Sequence, residues 1–300
     1  MEIWFGKELI KEWEENVKLE RIRSFSREIR LEIFESKNKK SPVIIFSHGI
    51  AGYARVLLPF VIPLCKLGYT VIVPDLQGYG YNDGVKGDSE WNEHVQNLID
   101  TSKYANNEYD GPIFLGGASM GGPLAYSAGA ISSCVDGLVC WCLWDFSDKE
   151  FMLNETSTGK ATYILMPIFN FLSKYMGKVR IKTYHLVSYD TLSDSKRFNT
   201  LVKNDPQAGT HITLKGAASL VLDSKPPVKH KDFTKPVLVV QPGEDKMTPK
   251  KYIKKTFDAL GSKKKRYIEI ENIPHFPTER KVFDRWADEV NKFIKEIIED

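Results

Sequence analysis

Ile113-Phe114-Leu115-Gly116-Gly117-Ala118-Ser119-Met120-Gly121-Gly122 decides the fold. Three apolar residues follow Pro112 and read as a short buried strand. Gly117 to Gly121 is a GxSxG sequence, and the small residues from Gly122 to Ala130 suit a helix packed close to its neighbours. Strand, sharp turn, helix is the setting in which a nucleophilic serine stands proud of a parallel sheet. The flanking glycines let strand and helix backbones approach each other. The helix N-terminus favours negative charge developing at that point.

Outward from this stretch, apolar runs of strand length alternate with helical patterns. Val43-Ile44-Ile45-Phe46, Thr70-Val71-Ile72-Val73, Leu138 to Trp144, Val237-Leu238-Val239-Val240 and Tyr267-Ile268-Glu269-Ile270 are the other runs. Continuous β-branched runs bounded by Gly and Pro indicate strands covered on both faces. Trp91, Val95, Leu98, Ser102 and Ala105 mark one helix face, with Ser89 as the expected cap. Phe283, Trp286, Val290, Phe293, Ile294 and Ile297 mark another. Pro63 should shorten or kink the helix expected after Gly52. Residues 21–34 can hold an antiparallel pair at the sheet edge. The expected class is α/β, with a mostly parallel central sheet flanked by helices. From 147 to 230 the alternation fails, which suggests an inserted helical lid. The expected division is 1–146 with 231–300 as the core and 147–230 as the lid.

The 300 residues contain 42% hydrophobic and 27% charged side chains, as in ordinary globular proteins. Forty-two basic against 39 acidic residues leave +3, which argues against a nucleic-acid partner. No apolar run has the ~18 residues of a membrane span, and the charged first residues do not read as a secretory signal. Cys65, Cys134, Cys140 and Cys142 lack metal-ligand spacing and read as reduced thiols of a cytoplasmic protein. No metal or organic cofactor is expected.

A serine hydroxyl needs a base, and the base needs an orienting carboxylate. Of six histidines, His275 follows the last expected strand, in Asn272-Ile273-Pro274-His275-Phe276-Pro277. Loops at strand C-termini are where parallel sheets carry their sites. Asp245, after the preceding strand, is the leading acid, with Glu244 and Asp145 as rivals. The resulting order is Ser, Asp, His. The oxyanion donors expected are the N–H groups of Met120 and of Ile50, in Ser47-His48-Gly49-Ile50. His48 reads as a residue that shapes this loop.

These segments, with Pro74-Asp75-Leu76-Gln77-Gly78-Tyr79-Gly80, resemble the α/β-hydrolase superfamily. Within it the chain resembles the monoacylglycerol lipase and lysophospholipase-like serine hydrolases. The Asp75 turn and Asn204-Asp205-Pro206 in the insertion carry that narrower likeness. The resemblance implies Ser119 as nucleophile, His275 as base, Asp245 as its orienter, and the Ile50 and Met120 amides as the hole. It implies a small-molecule substrate with one acyl ester and a small polar head. A thioesterase, an acyltransferase, a small-ester esterase or a non-catalytic receptor would share the fold. Ile50 is bulkier than the residue usual after the His-Gly pair, which bears on acyl length. Leu165, Ile168, Phe169 and Leu172 form an apolar stripe expected to wall an acyl tunnel or to pack the lid. Lys250, Lys251, Lys254, Lys255 and residues 263–266 read as a solvated basic face, with an anionic membrane surface as the second reading.

Overall fold

The computed structural model describes residues 2–154 and 159–299, with the side chains of 2–5 and 159–166 left out. Helix α1 (Glu2–Asn16) leads into β1 (Val17–Ser24), β2 (Arg27–Phe34) and β3 (Val43–Ser47). Then come α2 (Leu58–Lys66), β4 (Thr70–Pro74), α3 (Trp91–Glu108), β5 (Ile113–Ala118), α4 (Gly121–Ile131) and β6 (Gly137–Trp141). An insertion follows, with α5 (Lys149–Asn154), α6 (Gly159–Tyr175), β7 (Arg180–Lys182), α7 (Lys196–Asn204), β8 (His211–Thr213) and α8 (Leu214–Leu222). The chain closes with β9 (Val237–Pro242), α9 (Lys250–Ala259), β10 (Lys265–Ile270) and α10 (Arg280–Glu299).

Eight strands form one sheet in the order β1-β2-β4-β3-β5-β6-β9-β10. β1 pairs antiparallel with β2, and β2 antiparallel with β4; every other pair is parallel. The antiparallel edge expected at 21–34 is present and begins earlier, at Val17. Strands β3 to β6 and β9 are buried throughout, as their continuous apolar runs require. Inside the insertion, β7 and β8 form their own antiparallel pair.

Helix α2 packs on α10, and α3 on α4. Pro63 lies inside α2 without ending it, and the helix runs on to Lys66; Pro59 sits in the first turn, where a proline costs no helical hydrogen bond, and a 3-10 turn over Ala54–Leu57 precedes it. Ser89 does not cap α3. Glu90 is the cap, and Glu93 accepts its N–H at 2.9 Å in a reciprocal capping box. Ser89 Oγ bonds His94 Nε2 instead, at 2.8 Å.

The core centres on rings. Phe60 of α2 packs against Phe46, Trp141, Phe276, Phe283 and Trp286, with centroids 4.8 to 5.9 Å away. Phe276 immediately follows His275, so the same cluster that stabilises the core anchors the loop carrying that histidine. Strand register supplies the rest of the alignment. Ser47 lies opposite Gly117, Ala118 opposite Trp141, and Trp141 opposite Val240. The loops after β3, β5, β6 and β9 therefore leave the sheet at one level.

Candidate active site

Ser119 follows β5 directly and has φ 56°, the left-handed region that a non-glycine residue rarely adopts. Its N–H continues the ladder to Trp141 O at 3.1 Å. Close packing holds the turn. A Cβ on Gly121 would lie 2.4 Å from Ser47 O, and one on Gly117 would lie 2.6 Å from Gly121. Strain held by such surroundings is typical of functional turns.

His275 and Asp245 meet although 30 residues separate them. His275 Nδ1 lies 2.7 Å from Asp245 Oδ2, with both residues buried. The two loops are joined by backbone as well, Glu244 N–H donating to Ile273 O at 3.0 Å. Asp245 Oδ1 accepts the N–H groups of Met247 and Thr248, each at 2.8 Å, and Oδ2 also accepts Thr248 Oγ1 at 2.6 Å. Burial alone would raise the Asp245 carboxyl. The nearby His275 and these donors outweigh it and hold the group below its ordinary range. Of the rival acids, Asp145 is committed elsewhere, to His230 Nε2 at 2.9 Å and to Ser147. Glu244 is exposed. Among the described residues no hydrogen bond joins Ser119 Oγ to His275. Such bonds commonly tighten only with substrate in place.

The loop after β3 sits against the serine. Gly49 leaves no room for a side chain there, since a Cβ would fall 2.9 Å from Ser119 Cβ. His48 accepts the Leu76 N–H on Nε2 at 3.1 Å, so its proton is on Nδ1, which donates to Gly49 O at 2.8 Å. Gly52 N–H also donates to Gly49 O, at 3.1 Å. Because the peptide is planar and trans, fixing Gly49 O directs the Ile50 N–H the opposite way. Neither that N–H nor the Met120 N–H donates to another backbone group among the described residues. Burial pushes His48 down to about 4, so it is neutral and structural in this role.

Ser119, Ile50 and Met120 open on a cavity of about 220 Å³. Trp144 and Phe146 line it from the core side, and Phe151, Met152, Leu186, Val187, Leu220 and Val221 from the insertion. No Asp or Glu is among its described lining residues, and Lys246 is the only charged one. The expected stripe does not supply this wall. Ile168, Phe169 and Leu172 are absent from the lining, and Ile168 and Leu172 are exposed on α6. The Leu165 side chain falls outside the described residues. The sequence singles out none of the wall's own residues as lining the site, although Trp144 ends the run from Leu138 and Phe146 stands two positions past it. A wider cleft of about 1010 Å³, between the start of α3 and the ends of α6 and α8, contains none of Ser119, Asp245 and His275.

The expected basic face is largely neutralised. Lys250 pairs with Glu269, Lys254 with Asp258, Lys255 with Asp148 and Arg266 with Glu296. No helix among the described residues is long and apolar enough to cross a membrane.

Sheet order, serine turn and helical insertion together define an α/β hydrolase. The sequence profile of the family described as serine aminopeptidase, S33, matches residues 38–278, and the chain belongs to that family. An uncharacterized 31.7 kDa protein from the traX-finO intergenic region of Escherichia coli is 27% identical over 247 residues, covering 80% of this chain and 85% of that protein. Among solved structures, a thermostable carboxyl esterase from Bacillus coagulans superposes with TM-score 0.77 at 16% identity, covering 94% of this chain and 99% of the other. A soluble variant of the monoglyceride lipase from Saccharomyces cerevisiae, in complex with a substrate analog, gives 0.72 at 17%, covering 94% and 96%. At such identities the likeness is one of fold.

Proposed function

We propose that this hydrolase is a serine carboxylester hydrolase of the monoacylglycerol lipase or lysophospholipase type, acting through an acyl-enzyme. Residues 147–230 act as a lid over a core of 1–146 and 231–300. The observation that carries the reading is the strained Ser119 at the mouth of an apolar cavity, with the buried Asp245–His275 pair beside it. Ser119 Oγ attacks the ester carbonyl carbon while His275 Nε2 takes its proton. The Ile50 and Met120 N–H groups receive the oxyanion. The proton passes to the departing alcohol, leaving the acyl group on Ser119. His275 then takes a proton from water, whose oxygen attacks the acyl carbon; the acyl–Oγ bond breaks as His275 returns that proton to Ser119 Oγ, and the carboxylic acid leaves. No metal or organic cofactor enters these steps.

The family's description raises the second reading, an aminopeptidase. Recognition of a free α-ammonium calls for a carboxylate in the pocket. The cavity's described lining offers none and instead carries Lys246. Its apolar walls favour an acyl chain. The solved monoglyceride lipase and carboxyl esterase of like fold support the ester reading. Four free cysteines, two of them buried, support a reducing, cytoplasmic setting.

The test is hydrolysis of an ester series from acetate to long-chain monoacylglycerols, with matched thioesters and aminoacyl anilides, and Ser119→Ala as blank. The expected result is a rate maximum on medium or long monoacylglycerols that vanishes in the variant. A maximum on aminoacyl anilides overturns the ester reading. A maximum on acetate keeps the serine chemistry and replaces the lipase type with a small-ester hydrolase. A folded wild-type protein that neither turns over any of these nor labels with a fluorophosphonate would be a receptor.

A further inference from the structure

We propose that the Cys142 thiol is a positioning group for the Asp245–His275 pair, seating Asp245 as a weak donor that leaves most of the carboxylate's charge to the imidazole. The inference rests on the triad reading above. Cys142 Sγ lies 3.5 Å from Asp245 Oδ2, the same oxygen that holds His275 Nδ1. The sulfur, the carboxylate oxygen and the imidazole nitrogen all lie within 4.8 Å of one another.

The local backbone points the same way. β6 ends at Trp141, and Cys142 turns into the left-handed region with φ 70°. That conformation suits glycine and disfavours a side chain with a Cβ. Two contacts hold it. Cys142 N–H donates to Val240 O at 3.0 Å, and Gly122 packs so tightly on Cys142 O that a Cβ there would approach to 2.0 Å. The turn places a fully buried sulfur on the carboxylate.

Burial, then the Asp245 charge, holds the thiol far above its ordinary range, so it remains S–H and donates rather than repels. The other titratable groups facing it are neutral near pH 7. Cys140 of β6 is pushed up to about 12 by burial, and Tyr267 of β10 is raised, by burial first. The charge that Cys142 adjusts is therefore that of the Asp245 carboxylate, which faces His275. Thr248 Oγ1, at 2.6 Å, is a strong donor on the same oxygen. The thiol fills the remaining approach and excludes water, while drawing less charge than a hydroxyl would.

Three variants test this through the acid limb of the kcat/KM–pH profile, which reports the histidine's loss of its proton. Cys142→Ser supplies a stronger donor, weakens the hold of Asp245 on the imidazolium, and should move the limb down by about half a pH unit. Cys142→Ala removes the donor and should move it up, with kcat several-fold lower. Cys142→Gly suits the left-handed backbone but lacks the thiol, so it should reproduce the upward shift, with the relieved backbone offsetting part of the lost packing. Opposite shifts for Ser and Ala support the proposal. A limb that stays in place, or moves the same way in both variants, overturns it and leaves Cys142 a packing residue. Fluorophosphonate labelling of Ser119 in the wild-type protein separates the two failures. With no labelling and no turnover the triad reading falls. With both intact and the limb unmoved, only the role of Cys142 falls.

Discussion

Trp141 donates its indole N–H to the main-chain oxygen of His275, 2.9 Å away. One residue is the last of a central strand, and the other lies in a loop 134 positions further along. The bond ties the imidazole's backbone to the sheet rather than to other loops, and both residues are buried.

Replacing Trp141 by Phe keeps the ring packing on Phe60 and removes the donor. His275 O is then buried without that partner, which costs about 1–3 kcal/mol. The urea midpoint should fall accordingly, and kcat should fall more than KM rises. Unchanged kcat in a folded variant would mean that the bond serves stability alone.

Asp245→Asn should lower kcat by about a thousandfold or more, because the imidazole loses its orienter and its charge partner. Asp145→Asn should leave kcat within about threefold and act on stability, since Asp145 bonds His230 at the root of the insertion. Steady-state kinetics at matched folded fraction decides. A larger loss from Asp145→Asn would move the acid role to that residue.

Stability should fall as pH drops from 7 to 5. Burial lowers His48 to about 4 and His94 to about 3, against an ordinary value of 6.5. Below 6.5 the unfolded chain binds protons that the folded chain refuses, so each histidine removes up to about 1.4 kcal/mol per pH unit in that window. Asp245 acts elsewhere. Its lowered carboxyl contributes stability above the ordinary 3.8, lost only as pH falls further. Urea midpoints at pH 7.5, 6 and 5 measure the effect. A flat series would contradict it.

Ile50→Ala enlarges the cavity beside Ser119 while keeping the main-chain donor. The acyl-length optimum should lengthen or broaden, with kcat on the best wild-type ester changed less than about threefold. Loss of activity on every chain length would instead mark Ile50 as essential to the loop's shape.

The sheet was legible because its central strands are continuous β-branched runs, and tertiary packing preserved what local pattern announced. The meeting of His275 with Asp245 followed from chain order and loop position. Other features depend on contacts that no local pattern encodes. Leu138 to Trp144 reads as one run, yet the strand stops at Trp141 because Cys142 turns left-handed against Gly122. Ser89 has a good capping side chain, but His94 claims it. The stripe on α6 has a valid helical period, yet Ile168 and Leu172 face solvent, and the cavity wall comes from Leu186, Val187, Leu220 and Val221. Periodicity identifies an apolar face without identifying what it meets.

Phe276 belongs to two neighbourhoods at once. Its ring sits in the core around Phe60 and stacks on Phe198 of α7 at 5.1 Å, while its N–H donates to Leu192 O at 2.8 Å. The residue beside the histidine is thus clamped by parts of the chain that come from both sides of the insertion boundary. Excising the insertion to obtain a minimal hydrolase would remove half of that clamp. During synthesis the order matters as well, because α7 emerges before His275 does. The loop that carries His275 thus takes part of its anchorage from chain made before it.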